Sequence, residues 1–514
     1  MPTSWRDKSF EQLPALSVRG PALRSSLRLV TIAWMFGVVW MSCITGSQMT
    51  TFGRLLGFAD HHFGLMAAIP YAATFAQIIA AAIIERTGLR KYMFIFNASI
   101  HRMLWLAMAT VPLLLPPGPA AVATFLALFG LSVLLAHLSS PPWQTWMGDL
   151  IPRRIRGRFF ANRSRWTVPI QMIVAIAAGL LLDAVTAKGA PLDAAHQPTL
   201  LWSICGLFAV GAIFGTIDVL LFRRMREIVT PPLVQRPASR GALQEFGDMM
   251  GSVFRDRVLR NYALFGAVVA FSLTVSDQYF WLNALERVGF GKLGANIVFM
   301  VCGAISFVLV VGLWGRLIDR WGRRPVLIAG TAGTILSPIG WFFIPEGNLP
   351  LAYAIAVASC LIGGLTWSAV NLAQVGIVMG FSETTGRSRY IAAAAVVAAV
   401  GGFLGGLAGA GLVRAFHFLL ADPIAVGPFR WNTYHVTFAV SMAARASAIL
   451  FLIGMPDPGA RPLRQMMRSV WFHAYGNTVN RLFWALRSAA LRRRLRRRAP
   501  RPADAEGPNP SGPR

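Results

Sequence analysis

Charge is scarce in this chain. Asp, Glu, Lys and Arg make up only 14% of its 514 residues, while 55% are hydrophobic. A soluble globular domain carries about 25% charged residues, so an ordinary soluble fold is excluded. Acidic residues are the scarcer sign, 21 against 49 basic. Cysteine is sparse too. Cys43, Cys205, Cys302 and Cys360 each lie inside an apolar run with no close partner in sequence, which excludes a disulfide frame or cysteine metal site. There is no Gly-Lys-Ser/Thr phosphate loop, no metal-ligand constellation and no triad spacing. ATP-driven work and catalysis therefore have no basis in the sequence, and neither an enzyme nor a cofactor is expected. The polar first 25 residues carry no cleavable signal pattern.

Long apolar runs are what the chain has instead. A membrane helix needs about twenty such residues, and twelve segments qualify: roughly 28–50, 63–84, 91–115, 119–147, 166–184, 199–222, 261–284, 293–315, 326–345, 350–380, 390–418 and 434–455. Pro141 and Pro142 are expected to kink the fourth. Lysine and arginine set the orientation. With the N-terminus inside, the inner loops hold 23 of them and the outer loops five, leaving both termini cytoplasmic. The formal charge of +28 is thereby accounted for by loops and tail, and no nucleic-acid partner is expected.

The sequence also repeats. "AAIIERTGLRKYMFI" (81–95) aligns with "GRLIDRWGRRPVLIA" (315–329) at an offset of 234, and "RGRFFA" (156–161) aligns more weakly with "TGRSRYIA" (385–392). Each half thus has six helices with a basic turn after its second. The expected organisation is an N-terminal arm (1–27), a six-helix bundle (28–222), a basic linker (223–260), a second bundle (261–455) and a basic tail (456–514). The expected fold is an all-α membrane protein of twelve transmembrane helices in two pseudo-symmetric six-helix bundles, as a rocking alternating-access transporter requires.

Residues 315–324 resemble the signature loop of the major facilitator superfamily, G-x-L-x-D-R-x-G-R-R/K, through Gly315, Leu317, Asp319, Arg320, Gly322, Arg323 and Arg324. The first copy is degenerate: Ala81 replaces the leading glycine and Glu85 the aspartate, while Arg86, Gly88 and Arg90 match. The residues carry their own physics. Gly315 permits close approach of helix ends, Asp319 can cap a helix or pair with an arginine, and Gly322 permits a tight turn with positive φ. The resemblance implies that Asp319 is a conformational latch, with Glu85 its weaker counterpart; plain topogenesis is the competing reading.

The resemblance also implies that helices 1, 4, 7 and 10 line a central cavity. Their polar residues are the substrate candidates: His137, Trp143 and Gln144 on helix 4, Gln278 on helix 7, and Trp367, Asn371 and Gln374 at i, i+4 and i+7 on helix 10. That last stripe suits substrate stacking or contacts between helices equally well. Asp277 is the sharpest candidate, because an acid in a bilayer is costly and faces a cavity or a partner. It is read as a proton or cation coupling residue, an outer structural residue, or the partner of an intramembrane cation. Arg102, in helix 3, is read as structural, and Asp218 as pairing with Arg223 at a helix end. "ADHH" (59–62) is not expected to hold a metal.

Gly401, Gly405 and Gly409, with Gly402 and Gly406 beside them, make helix 11 a packing or sliding surface. The proline–glycine motif of drug/proton antiporters is absent from helix 5. The stretch "GDLIPRRIRGRFFANRSR" (148–165) reads as a turn fixing helices 4 and 5, with Pro152 ending the fourth. The tail suits an amphipathic helix on anionic lipid. The expected function is secondary active transport of a small solute, coupled to a proton or cation, by a monomer in a bacterial inner membrane. The alternative is a non-transporting member serving as sensor or assembly factor for a membrane complex, which the basic tail favours.

Overall fold

A computed structural model describes residues 20–187, 192–225, 253–345, 347–382, 388–417, 423–453 and 460–469, with isolated positions between them. The N-terminal arm to residue 19, the linker over 226–246, the turn 383–387 and the tail from 470 lie outside the described residues, as do the side chains of Glu85 and Arg86. The chain forms twelve membrane spans in two six-helix halves. The first half comprises span 1 (Gly20–Ile44 continued by Ser47–Leu56), span 2 (Asp60–Ala73 and Ala76–Thr87), span 3 (Arg90–Leu114), span 4 (Pro119–Leu150), span 5 (Arg153–Val185) and span 6 (Pro198–Leu221). The second comprises span 7 (Arg257–Thr274, Asp277–Leu282 and the π-helical Asn283–Val288), span 8 (Lys292–Asn296 through Gly303–Trp321), span 9 (Arg323–Thr334 and Leu336–Trp341), span 10 (Leu349–Ser382), span 11 (Ser388–Phe416) and span 12 (Thr433–Ile453). Among the described residues, eleven helices are long and apolar enough to cross a membrane, and the broken span 9 completes the twelve. We call the end holding Gly20, the 2–3 and 8–9 turns and Ile453 the basic end, and the other the far end.

Several boundaries differ from expectation for physical reasons. Span 1 begins at Gly20, not near residue 28, because Leu23 and Leu27 extend its apolar stripe onto a cluster with Phe94, Trp146 and Phe222. The arginine-rich stretch expected as a turn is mostly the first turns of span 5. Phe159 is buried in the same cluster while Arg158 and Arg165 stay exposed. Span 4 runs unbroken through Pro141 and Pro142, and Thr145 Oγ1 donates to both proline carbonyls. Span 9 breaks where Pro338 cannot donate to the Thr334 carbonyl four residues back; Arg445 of span 12 donates to it instead, at 2.6 Å.

The signature segment is also more helical than expected. Gly315 through Trp321 complete span 8, and the turn is Gly322 alone, at φ +95°. Gly88 turns the first copy at φ +67°. Gly315 does not mark a close helix approach: a Cβ there would meet only Leu372, at an ordinary 3.8 Å. Each half carries a like brace, from neighbouring and not identical positions of the repeat. Lys91 Nζ, at the start of span 3, donates to the carbonyls of Arg223 and Met225 just past span 6, at 3.0 and 2.6 Å. Arg324, at the start of span 9, donates to the Leu452 carbonyl at 2.9 Å and to that of Ile453, closing span 12. A cation on the open carbonyls of a helix C-terminus satisfies them and complements the dipole.

Candidate functional site

Spans 1 and 7, the first of each half, are both broken partway along. Span 1 breaks at Thr45–Gly46, where Gly46 takes φ +98°, and span 7 at Val275–Ser276. The sequences at the breaks are weakly alike, Thr45-Gly46-Ser47-Gln48 against Thr274-Val275-Ser276-Asp277, matching at the threonine and the serine. Broken spans at corresponding positions of two halves point to a binding site, since irregular backbone is tolerated at membrane depth only where protein or a wet cavity satisfies it.

A cavity of about 730 Å³ lies against these breaks. Thr45, Gly46, Thr274, Asp277 and Gln278 line it beside Trp40, Trp105, Trp281 and Trp367. Asp277 sits deep in the bundle, yet its side chain is solvent-accessible because the cavity reaches it. Gln278 Nε2 donates to Asp277 Oδ2 at 3.3 Å, and Arg445 is the cation whose field it feels. The indole N–H groups of Trp40 and Trp105 are buried without a protein acceptor.

Contacts between the halves close one end of this cavity. All hydrogen bonds and ion pairs between the halves, among the described residues, lie toward the far end. Asn296 of span 8 accepts from the Ser47 N–H at 3.0 Å and donates to the Ala175 carbonyl at 3.0 Å, so one side chain ties span 1's break to span 5. Asp183, ending span 5, accepts from the N–H groups of Lys292 and Leu293 at 2.7 and 3.0 Å and thus caps span 8 across the boundary. Arg54 reaches Glu286 through Nε at 2.5 Å and Nη2 at 2.8 Å and also pairs with Asp60, to which Tyr434 Oη donates at 3.1 Å. Small residues bring spans 2 and 11 together: a Cβ added to Gly64 would lie 2.8 Å from the Gly406 carbonyl oxygen, and one on Gly406 2.7 Å from the Ala68 nitrogen.

The other candidates are placed as follows. Gln278 and Trp367 line the central cavity. His137 turns to Gln77 of span 2, with Nδ1 at 2.9 Å from Nε2. Trp143 lines a separate side cavity, and Gln144, exposed, donates to Ser140 at 2.9 Å. Asn371 and Gln374 are half-buried farther along span 10. Asp319 is exposed and makes no hydrogen bond or ion pair among the described residues. Asp218 does not pair with Arg223 at a helix end; it faces Arg102 inside the first half at 3.3 Å. Asp60 belongs to the Arg54 cluster, and His62 accepts the Ala59 N–H at 2.9 Å.

Two like halves of six spans, the first span of each broken beside a mostly apolar cavity with a few polar groups, define the architecture of a membrane transporter. The chain belongs to the major facilitator superfamily, whose family model matches residues 29–406. It is 29% identical over 118 residues to D-xylose-proton symporter-like 1 of Arabidopsis thaliana, covering 22% of this chain and 23% of that protein. It is 35% identical over 97 residues to the multidrug transporter mfsB of Aspergillus fumigatus, covering 19% of this chain and 14% of that protein. These matches span less than a quarter of either relative. Among solved structures, the inward-open xylose transporter XylE from E. coli superposes with a TM-score of 0.59 at 14% identity, over 87% of this chain and 99% of that one. The nucleoside transporter NupG gives 0.58 at 14%, over 84% and 98%. The shared property at such identities is the fold.

Proposed function

We propose that the protein is a secondary transporter that carries a small polar solute by alternating access, driven by a proton or cation gradient. The observation that carries this reading is the pair of breaks facing one cavity, with the hydrogen bonds and ion pairs found between the halves among the described residues lying toward its far end. With the arginine-rich turns in the cytoplasm of a bacterial cell, as the loop charges direct, this is the inward-open state. Trp281 and Trp367 offer faces for stacking and Gln278 a hydrogen-bonding edge. Relatives named for xylose and nucleosides accord with a ring-bearing polar solute. Asp277 is the coupling group: it is exposed to the cavity and makes no ion pair among the described residues, and Arg445 donates to the Thr334 carbonyl instead, so a proton or cation can neutralise Asp277.

Reconstitution into proteoliposomes with an imposed pH gradient tests this. Net accumulation of the solute is expected in the native protein and at background in Asp277→Asn, while solute exchange without a gradient persists. Gradient-driven accumulation unchanged in the variant removes Asp277 from coupling; no solute-dependent flux at all removes the transport reading.

Asp319 is the latch of the opposite state. It stands free while the basic end is open, as a group that engages only when that end closes. Asp319→Asn is therefore expected to leave insertion and melting temperature unchanged, to slow net uptake, and to raise labelling of single cysteines at the basic end. Unchanged uptake and labelling would exclude the latch.

A further inference from the structure

Beside the central cavity, and meeting it at His101, the first half holds a second, partly open cavity of about 420 Å³. Its charged walls are Arg102 of span 3, Arg163 of span 5 and Asp218 of span 6. Arg102 is 9% exposed and Asp218 4%. They meet through one contact, Arg102 Nη2 to Asp218 Oδ2 at 3.3 Å, not a bidentate fork. Arg102 Nη1 lies 3.3 Å from His101 Nε2, and His101 Nδ1 lies 2.8 Å from Ser132 Oγ. A guanidinium only donates, so His101 Nε2 accepts, Nδ1 carries the proton, and the ring is neutral. Arg163 has no hydrogen-bond partner among the described residues; its Cζ stands 5.2 Å from the Trp34 ring. Nε of Arg102 and Nε of Arg163 are both buried without an acceptor.

Two guanidiniums against one carboxylate leave an excess positive charge along this cavity, carried by the half-buried Arg163, and a charge set among membrane spans marks function by default. The space is also built, not left over. A Cβ on Gly37 would lie 2.7 Å from Asp218 Oδ2, and one on Gly215 2.8 Å from Arg102 Cδ, so two glycines on spans 1 and 6 make room for the pair. Trp34, Phe94 and Trp143 supply flat apolar walls.

We propose that this cavity binds a small organic oxyanion, its carboxylate or phosphate held between Arg163 and Arg102 and its flat apolar body set against Trp34 and Trp143. The anion neutralises the excess charge against the Arg163 and Arg102 side chains that line the cavity, while Asp218 keeps Arg102 in place. Binding there does not depend on flux through the central cavity, so equilibrium binding is the readout. A soluble anion and an acidic lipid headgroup share this chemistry.

The test uses the full-length protein purified in neutral detergent, with benzoate and phenyl phosphate as probes and benzamide as the uncharged control. Saturable quenching of tryptophan fluorescence and a raised melting temperature are expected with the two anions and not with benzamide. Arg163→Gln is expected to weaken benzoate binding about tenfold or more, the fold-change equivalent to the ~1.4 kcal/mol at the low end of a charge-assisted hydrogen bond. Trp143→Leu, which keeps the charges, is expected to cut the preference for benzoate over acetate. Phosphatidylglycerol that displaces benzoate only when Arg163 is present identifies a lipid headgroup as the source; failure to displace identifies a soluble anion. Equal binding of benzoate and benzamide, or native benzoate affinity in both variants, overturns the proposal.

Discussion

Gly406→Leu is expected to abolish net transport while the protein remains folded and inserted. Spans 2 and 11 cross at the far end with almost no side-chain volume between them. A Cβ on Gly406 would stand 2.7 Å from both the nitrogen and the Cβ of Ala68, and backbone cannot yield as a flexible side chain would. Gly406 meets span 2 backbone and Gly402 meets the Tyr71 ring of the same span, whereas Gly401, Gly405 and Gly409 lie against the carbonyls of Ala267, Phe271 and Val275 on span 7. The glycines of span 11 therefore make two seams: one fastens it within its own half, the other meets the opposite half. In membranes such small-residue seams stabilise association through close packing and weak Cα–H contacts. A leucine in the second seam has no place when the far end is closed, but it can be accommodated once the halves part there. The variant should be held open at the far end, and a spin-label pair at His61 and Leu419 should lengthen relative to the native protein. Gly312→Leu is the control, because nothing lies within 4 Å of a Cβ at that position. Native distances and uptake in Gly406→Leu would show that the seam does not govern access.

How far the sequence disclosed this arrangement depends on the range of each interaction. Twelve apolar runs and the loop Gly315–Arg324 are local signals, and both are legible because membrane insertion and a tight turn are decided within some twenty residues. The breaks are legible only in part. Gly46 marks one and Pro338 another, but Val275–Ser276 carries no breaker, and its likeness to Thr45–Gln48 becomes evident only when the two bends face each other. Charge misled at the membrane surface: the arginines at 153–165 read as a turn, although helical backbone continues past the bilayer as long as residues such as Phe159 are buried. Helix rotation was the hardest quantity. Span 4 is apolar all round, so nothing local says which polar side chains meet the cavity. His137 pairs with Gln77 and Trp143 turns to the side cavity, whereas the cavity-lining residues of span 4 are Phe129, Ser132 and Val133. The tie between Arg102 and Asp218 spans 116 residues and leaves no mark in either neighbourhood.

That tie carries the other large effect. Arg102→Met is expected to lower the melting temperature of the purified protein sharply, and the addition of Asp218→Asn to restore most of the loss. Removing one partner of a buried pair strands the other's charge, a cost of about 3–5 kcal/mol, whereas replacing both partners with neutral groups is often close to neutral. Here the stranded group is a carboxylate 4% exposed. Arg102 also does more than pair: its Cζ sits 3.4 Å from the centroid of the Trp40 ring, a cation–π contact that strengthens when desolvated, and the methionine thioether retains the apolar part of that packing. Arg163 is the nearest remaining cation, and its approach to Asp218 sets the lower end of the expected loss. Arg163→Gln added to Arg102→Met should therefore deepen the destabilisation, and Asp218→Asn should rescue that double variant as well. Melting temperatures of the single, double and triple variants, followed by tryptophan fluorescence in one detergent, decide the matter. If Asp218→Asn fails to rescue Arg102→Met, the destabilisation comes from lost packing on Trp40 and not from an unpaired charge.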